Sequence, residues 1–421
     1  MTFCNQLVAI AATCTLVFSA IPANVAAQQV TTDGIRFDNE ERDRNFRNRF
    51  RLNKRDRRLV YVALPGGSAG GQFSSELNGV GIVVLDVDHD FEFLKRIPTW
   101  NVAAGTNPEE VSGVAASPAT NMIYLATRGR LAAFDLGTDQ KVWESIYDGW
   151  CCERPELTPD GRTLVVGSNL RDFWYVIDAK SGALKGKIQA PEAKRRAHNM
   201  ALSADGKTAF MAPTLPIMTV GDVPSMKALK TITFSDNVRP FVINHDATRI
   251  YANLDNLLGF EIADVETGEV IKRIEAPAEM WKAQWRDRPQ SFFGHNCPSH
   301  GIALTPDESE IWMVDNINYS VMVYDNSGEW PVLKWTFPTT VSANWITMGL
   351  DGQYAFLASG DVVDVKTKQI VAQMKDEYGK PMHSEKYLEM TFSNGKLLRT
   401  VSQYGEGLPS AVQARLARST K

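Results

Sequence analysis

Short apolar runs separated by turns rich in Pro, Asp, Asn and Gly dominate the chain from Arg58 onward. Two patterns recur. In the first, an apolar strand meets such a turn and a second apolar strand follows. It occurs seven times, at 114–118, 157–161, 202–206, 243–246, 304–307, 348–352 and 391–395. These turn residues supply a preset φ or tolerate a positive one. In the second, a strand rich in β-branched residues ends on an aspartate and turns tightly. It also occurs seven times, ending at Asp86, Asp135, Asp178, Asp222, Asp264, Asp325 and Asp364. A fourth short strand follows, as at 270–274. The first pattern recurs every 41 to 45 residues, stretched to 61 where residues 276–300 are inserted. No helical 3.6-residue periodicity accompanies it.

Four strands per unit at this period predict an all-β, seven-bladed β-propeller of four-stranded blades over residues 58–403. The first Asp-ended strand precedes any complete unit, and the last turn, at Asn394, has no Asp-ended strand after it. The two half-units make one blade, so N- and C-terminal strands are expected to close the ring and remove its free edges. Residues 404–421 remain as a C-terminal tail.

Residues 1–27 read as a secretory signal: an apolar stretch from Leu7 to Ala20, then small residues Val25, Ala26 and Ala27 before Gln28. The chain is therefore expected to be secreted or periplasmic, with no transmembrane segment in its mature form. Residues 28–57 are a charged N-terminal arm with too little apolar surface to fold alone. Acidic residues are interleaved through that arm, and the net charge is −4, so no nucleic-acid partner is expected. Beyond the signal the chain keeps three cysteines, Cys151, Cys152 and Cys297. An odd number leaves at least one outside any ordinary pairing. A bridge from Cys151 or Cys152 to Cys297 needs Cα atoms within about 7 Å, which only the long 276–300 loop would deliver.

The residues entering the inner strand of each unit hold the candidate chemistry. They include Ser112, 151–156, Arg195 to Asn199, Arg239, 295–300, Asn344 with Trp345, and 383–385. Four of the six histidines, His198, His295, His300 and His383, fall at this one position; His89 and His245 lie in turns. Imidazole is both a common metal ligand and the usual base near neutral pH. Three readings stand side by side. His198, His300 and His383, with His295 or Cys297, bind a transition metal, zinc or copper. Or the histidines act without metal, as acid and base beside Glu156 and Glu385. Or they are rim residues that hydrogen-bond between blades. Arg154 and Arg239 are candidates to hold an anionic or carbonyl group. Asn199, Asn344, Trp345 and Trp174 are candidate substrate contacts, and Trp150, Trp281, Trp285, Phe292 and Phe293 add aromatic surface. The 276–300 insertion is expected to act as a lid over this face.

The 157–178 unit, followed by Lys180, Ser181 and Gly182, resembles the repeat of the YVTN-type β-propeller family, and the likeness covers about residues 58–403. That resemblance implies a surface-layer protein, a lactonase-like enzyme or a subunit of a periplasmic dehydrogenase. The segment from His300 to Asn316 is similar to one that holds a divalent cation in six-bladed lactonases, with Asp315 at the aspartate position and His300 where the asparagine belongs. Adjacent cysteines such as Cys151 and Cys152 form a vicinal disulfide in some quinone-dependent propeller dehydrogenases, where it offers a flat apolar face to a ligand. A phosphate-binding glycine loop and a haem-attachment motif are missing from the sequence. The expectation is an exported propeller acting on a small molecule at a His-rich mouth, as a lactonase-like hydrolase or an oxidoreductase. The other reading is a non-catalytic binding or scaffold propeller with a periplasmic redox or envelope partner.

Overall fold

A computed structural model describes residues 54–69, 72–73, 78–104, 106–148, 151–194, 197–280 and 296–402. They form seven antiparallel blades in a ring. Blades I to VI begin at strands Val111–Ser117, Glu153–Leu157, Ala197–Leu202, Val238–Ile243, Ile302–Leu304 and Ile346–Met348. Each is a four-stranded meander in chain order. The first strands of successive blades run beside one another and line the centre of the ring.

Local chemistry explains both sequence patterns. Each Asp-ended strand is the third of its blade. The carboxylate folds back on the turn that follows: Asp178 Oδ1 accepts from the Ser181 amide at 3.0 Å and hydroxyl at 2.8 Å. Asp135 with Thr138 and Asp264 with Thr267 repeat the arrangement. The turn between first and second strands works similarly. Asp160, Asp205 and Asp307 accept from the hydroxyl two residues earlier and the amide two residues later. Such side chains imitate a backbone turn and are favoured wherever a strand must reverse.

Blade VII closes the ring from both ends of the chain. Its inner strand is Tyr387–Ser393, its second is Arg57–Leu64, and Gly81–Asp86 and Glu92–Ile97 complete it. Tyr387 lies opposite Val62, and Phe392 opposite Arg57. Leu59 and Tyr61 share a core cluster with Leu388 and Met390, so closure is apolar as well as hydrogen-bonded. The strand after the last turn does not take the second place in the blade. Lys396–Thr400 pairs with the other edge of Tyr387–Ser393, making a five-stranded sheet whose extra strand is on the channel side. Asn394 and Gly395 have φ of 50° and 75°, the conformation of a two-residue hairpin, for which Asn-Gly is the preferred pair. This strand and Ser402 border a cavity of about 180 Å³ at the exit of the inner strands of blades I to III. The channel is thus narrowed at that end.

A buried charge cluster spans the closure. Arg58, on the N-terminal strand, lies 3.4 Å from Asp88 and 3.6 Å from Glu389 of the C-terminal strand. Glu389 also accepts from the Leu350 amide at 2.9 Å. Burial pushes the Glu389 carboxyl up to about 7, with the Arg58 charge opposing and Asp351 assisting. A carboxyl whose folded pKa exceeds its unfolded value binds more protons when folded, so its contribution is full below about 4.5 and is lost as pH rises through about 7. Melting temperature measured across this window is expected to fall with pH for the natural chain. Glu389→Gln should flatten that slope, and an unchanged slope would contradict the assignment.

Candidate functional site

The site starts at the entry to blade II. Cys151 and Cys152 form a disulfide, with Cα atoms 3.1 Å apart. Both are buried among Tyr124, Phe173 and Tyr175 and do not line the mouth. The backbone here is tied to blade I: the Cys152 amide donates to Thr127 at 2.6 Å, and the Ser112 hydroxyl donates to the Cys152 carbonyl. Strand pairing then slips between Glu153 and Glu156, a β-bulge. Within it Arg154 has a φ of 47°, a left-handed conformation unusual for a long side chain. Gly113 makes room. A Cβ there would come within 2.6 Å of the Arg154 backbone.

The bulge sends Arg154 across the channel. Its guanidinium reaches Glu385 at the entry to blade VII, at 3.3 Å, and stacks 4.1 Å from the ring of Trp345 at the entry to blade VI. Lys386 Nζ donates to the same Glu385 oxygen, Oε2, at 2.7 Å and lies 5.5 Å from the Trp345 ring. Asn344 Nδ2 donates to the other oxygen. Two cations therefore share one carboxylate oxygen above an indole. All are enclosed: Arg154 is 4% exposed, Lys386 and Trp345 each 2%. Burial pushes the Lys386 ammonium down from the usual lysine range, the neighbouring Arg154 charge adds to this, and Glu385 opposes it. Gly66 and Gly67 cover the pair, leaving no room for a side chain against Lys386 and Glu385.

Two more carboxyls border this centre. Glu153 Oε1 is 3.8 Å from Arg154 Nε and 3.5 Å from His198 Nε2 of blade III. Burial pushes the Glu153 carboxyl up, against Arg154 and Lys386. Burial likewise raises Glu110, at the entry to blade I, against Lys386. A carboxyl raised by burial beside an imidazole is suited to proton transfer.

The other expected residues are spread around the ring. His300 Nδ1 donates to the Asn344 carbonyl at 2.9 Å, beside Trp345. His383 is half-buried; its backbone amide donates to Asn78, and burial pushes its imidazole down against the Asp361 charge. Glu156 lines the cavity at the opposite end of the strands, away from Glu385. Arg239 is held bidentately by Asp255 at 2.6 and 2.8 Å. Asn199 is buried on the first strand of blade III, and Trp174 lies in the core between blades II and III. Cys297 is a buried free thiol, pushed up to about 12 by burial. No bridge joins it to Cys151 or Cys152. Asp315 is occupied with its own turn, accepting from the Ile317 and Asn318 amides and the Asn318 side chain. His295, Trp150, Trp281, Trp285, Phe292, Phe293, Arg195 and Arg196 lie outside the described residues, as does most of the 276–300 segment. Among the described residues no three His, Cys, Asp or Glu side chains assemble a set that could hold a metal ion. No described helix is long and apolar enough to cross a membrane.

The sequence reading passed over Glu110, Glu153 and Lys386. Glu153 and Lys386 adjoin flagged residues, but their meeting depends on the bulge and on contact across the channel. No family model matches the chain, and no curated protein does. Among solved structures the chain is similar to hydrazine synthase of Kuenenia stuttgartiensis, at 16% identity over 64% of this chain and 98% of that one, with a TM-score of 0.40. The propeller architecture rests on the strands themselves, and membership of the YVTN-type family is shown by none of these matches.

Proposed function

We propose that the protein is an exported small-molecule hydrolase whose mouth takes a lactone or ester and releases a carboxylate. The observation that carries this reading is the pair of enclosed cations, Arg154 and Lys386, sharing Glu385 above Trp345. Preorganised cations in a site with little water stabilise the oxyanion that develops at an attacked carbonyl. Glu153 and His198 lie beside them and supply the acid and base. An Arg fork also suits the carboxylate product. Calorimetric titration with small carboxylates and lactones tests this. Arg154→Gln is expected to weaken binding about tenfold or more, since a hydrogen bond to a charged group contributes roughly 1.5–3 kcal/mol. Equal affinities would contradict the reading. Binding without turnover of any lactone or ester would favour a non-catalytic binding propeller.

A further inference from the structure

We propose that Lys386 is a nucleophilic amine that condenses with the carbonyl of a small oxo acid whose carboxylate is held by Arg154. The inference goes beyond hydrolysis and rests on the reading of the mouth as a carboxylate site. Its basis is geometric. Lys386 Nζ and the Arg154 guanidinium lie 5.5 and 4.1 Å from one indole and share one Glu385 oxygen, so an amine and a carboxylate receptor stand side by side. The amine is enclosed between Trp345 and the Gly66–Gly67 turn. It also stands beside a second cation, and both features favour a neutral lysine over an ammonium. The enclosure restricts the partner to a small molecule.

Glu385 supplies the proton path, with Oε2 at 2.7 Å from Nζ. The ammonium gives a proton to this carboxylate, and the amine lone pair attacks the carbonyl carbon. A proton then moves from nitrogen to oxygen, giving a carbinolamine. Glu385 returns its proton to the hydroxyl, which leaves as water as the nitrogen forms a double bond to carbon. One carbonyl oxygen departs as water and no electron is gained or lost.

Pyruvate with sodium cyanoborohydride tests the proposal on the intact chain, with peptide mapping by mass spectrometry and a parallel calorimetric titration with pyruvate. The expected result is a reduced adduct on Lys386, at least about tenfold above exposed lysines such as Lys207. It should be lost in Lys386→Arg, which keeps the charge and cannot condense. If pyruvate binds but the adduct is absent or spread over exposed lysines, the amine chemistry falls and the carboxylate site stands. If pyruvate neither binds nor is trapped, both fall. Because the adduct is mapped in the natural chain, the result does not depend on the variant folding.

Discussion

Glu153→Gln is expected to reduce hydrolytic turnover by roughly 10²-fold or more, the usual contribution of a positioned acid or base, with KM little changed. Glu153 is enclosed, 3.5 Å from His198 and 3.8 Å from Arg154. Glutamine keeps the size and one acceptor but can neither give nor take the proton. Arg154 and Lys386 still receive the ligand, so the loss should fall on kcat and leave ground-state binding in place. His198→Gln should lose a comparable factor, and the double variant little more than either alone, because the two act on one proton. Unchanged kcat in Glu153→Gln would remove the pair from the chemistry.

Glu385→Ala should destabilise the fold by about 3–5 kcal/mol, the range for breaking a buried ion pair by removing one partner. Three donors converge on this carboxylate: Arg154, Lys386 and Asn344. Its loss leaves two enclosed cations beside one indole without the carboxylate they share. Glu385→Gln retains an acceptor for one of them and should lose less. Denaturant unfolding of the three proteins gives the order natural chain, glutamine, alanine. An alanine variant within about 1 kcal/mol of the natural chain, at the level of exposed pairs, would mean that the cluster relaxes and is not preorganised.

The architecture was legible because its determinants are local. An aspartate ending a third strand caps its own turn, as Asp178 does with Ser181, and this repeats at a fixed period. Closure was legible from the two half-units, although the inward course of Lys396–Thr400 was not. Asn394-Gly395 specifies a hairpin but not which edge the returning strand joins. The site was only partly legible, for a geometric reason. Equivalent positions on seven blades are set around the mouth, and an imidazole is too short to reach across it. His198, His300 and His383 accordingly meet Glu153, the Asn344 carbonyl and the surroundings of Asp361. A guanidinium is longer, and the bulge at Glu153–Glu156 sends Arg154 over to blades VI and VII. Trp174 and Trp345 were both candidate substrate contacts in the sequence. One packs between blades II and III, and the other carries two cations. The adjacent cysteines pair, but their disulfide faces the core and braces the strand that presents Glu153 and Arg154.

Ligands are expected to bind where Arg154 crosses the channel. The most direct measurement is a crystal structure of the intact protein soaked with the carboxylate that titrates most tightly. Its carboxylate is expected within hydrogen-bond distance of Arg154 and Lys386, with the rest of the molecule against Trp345 and toward Glu153 and His198. A ligand bound elsewhere, with the Arg154–Glu385–Lys386 cluster untouched, would contradict it.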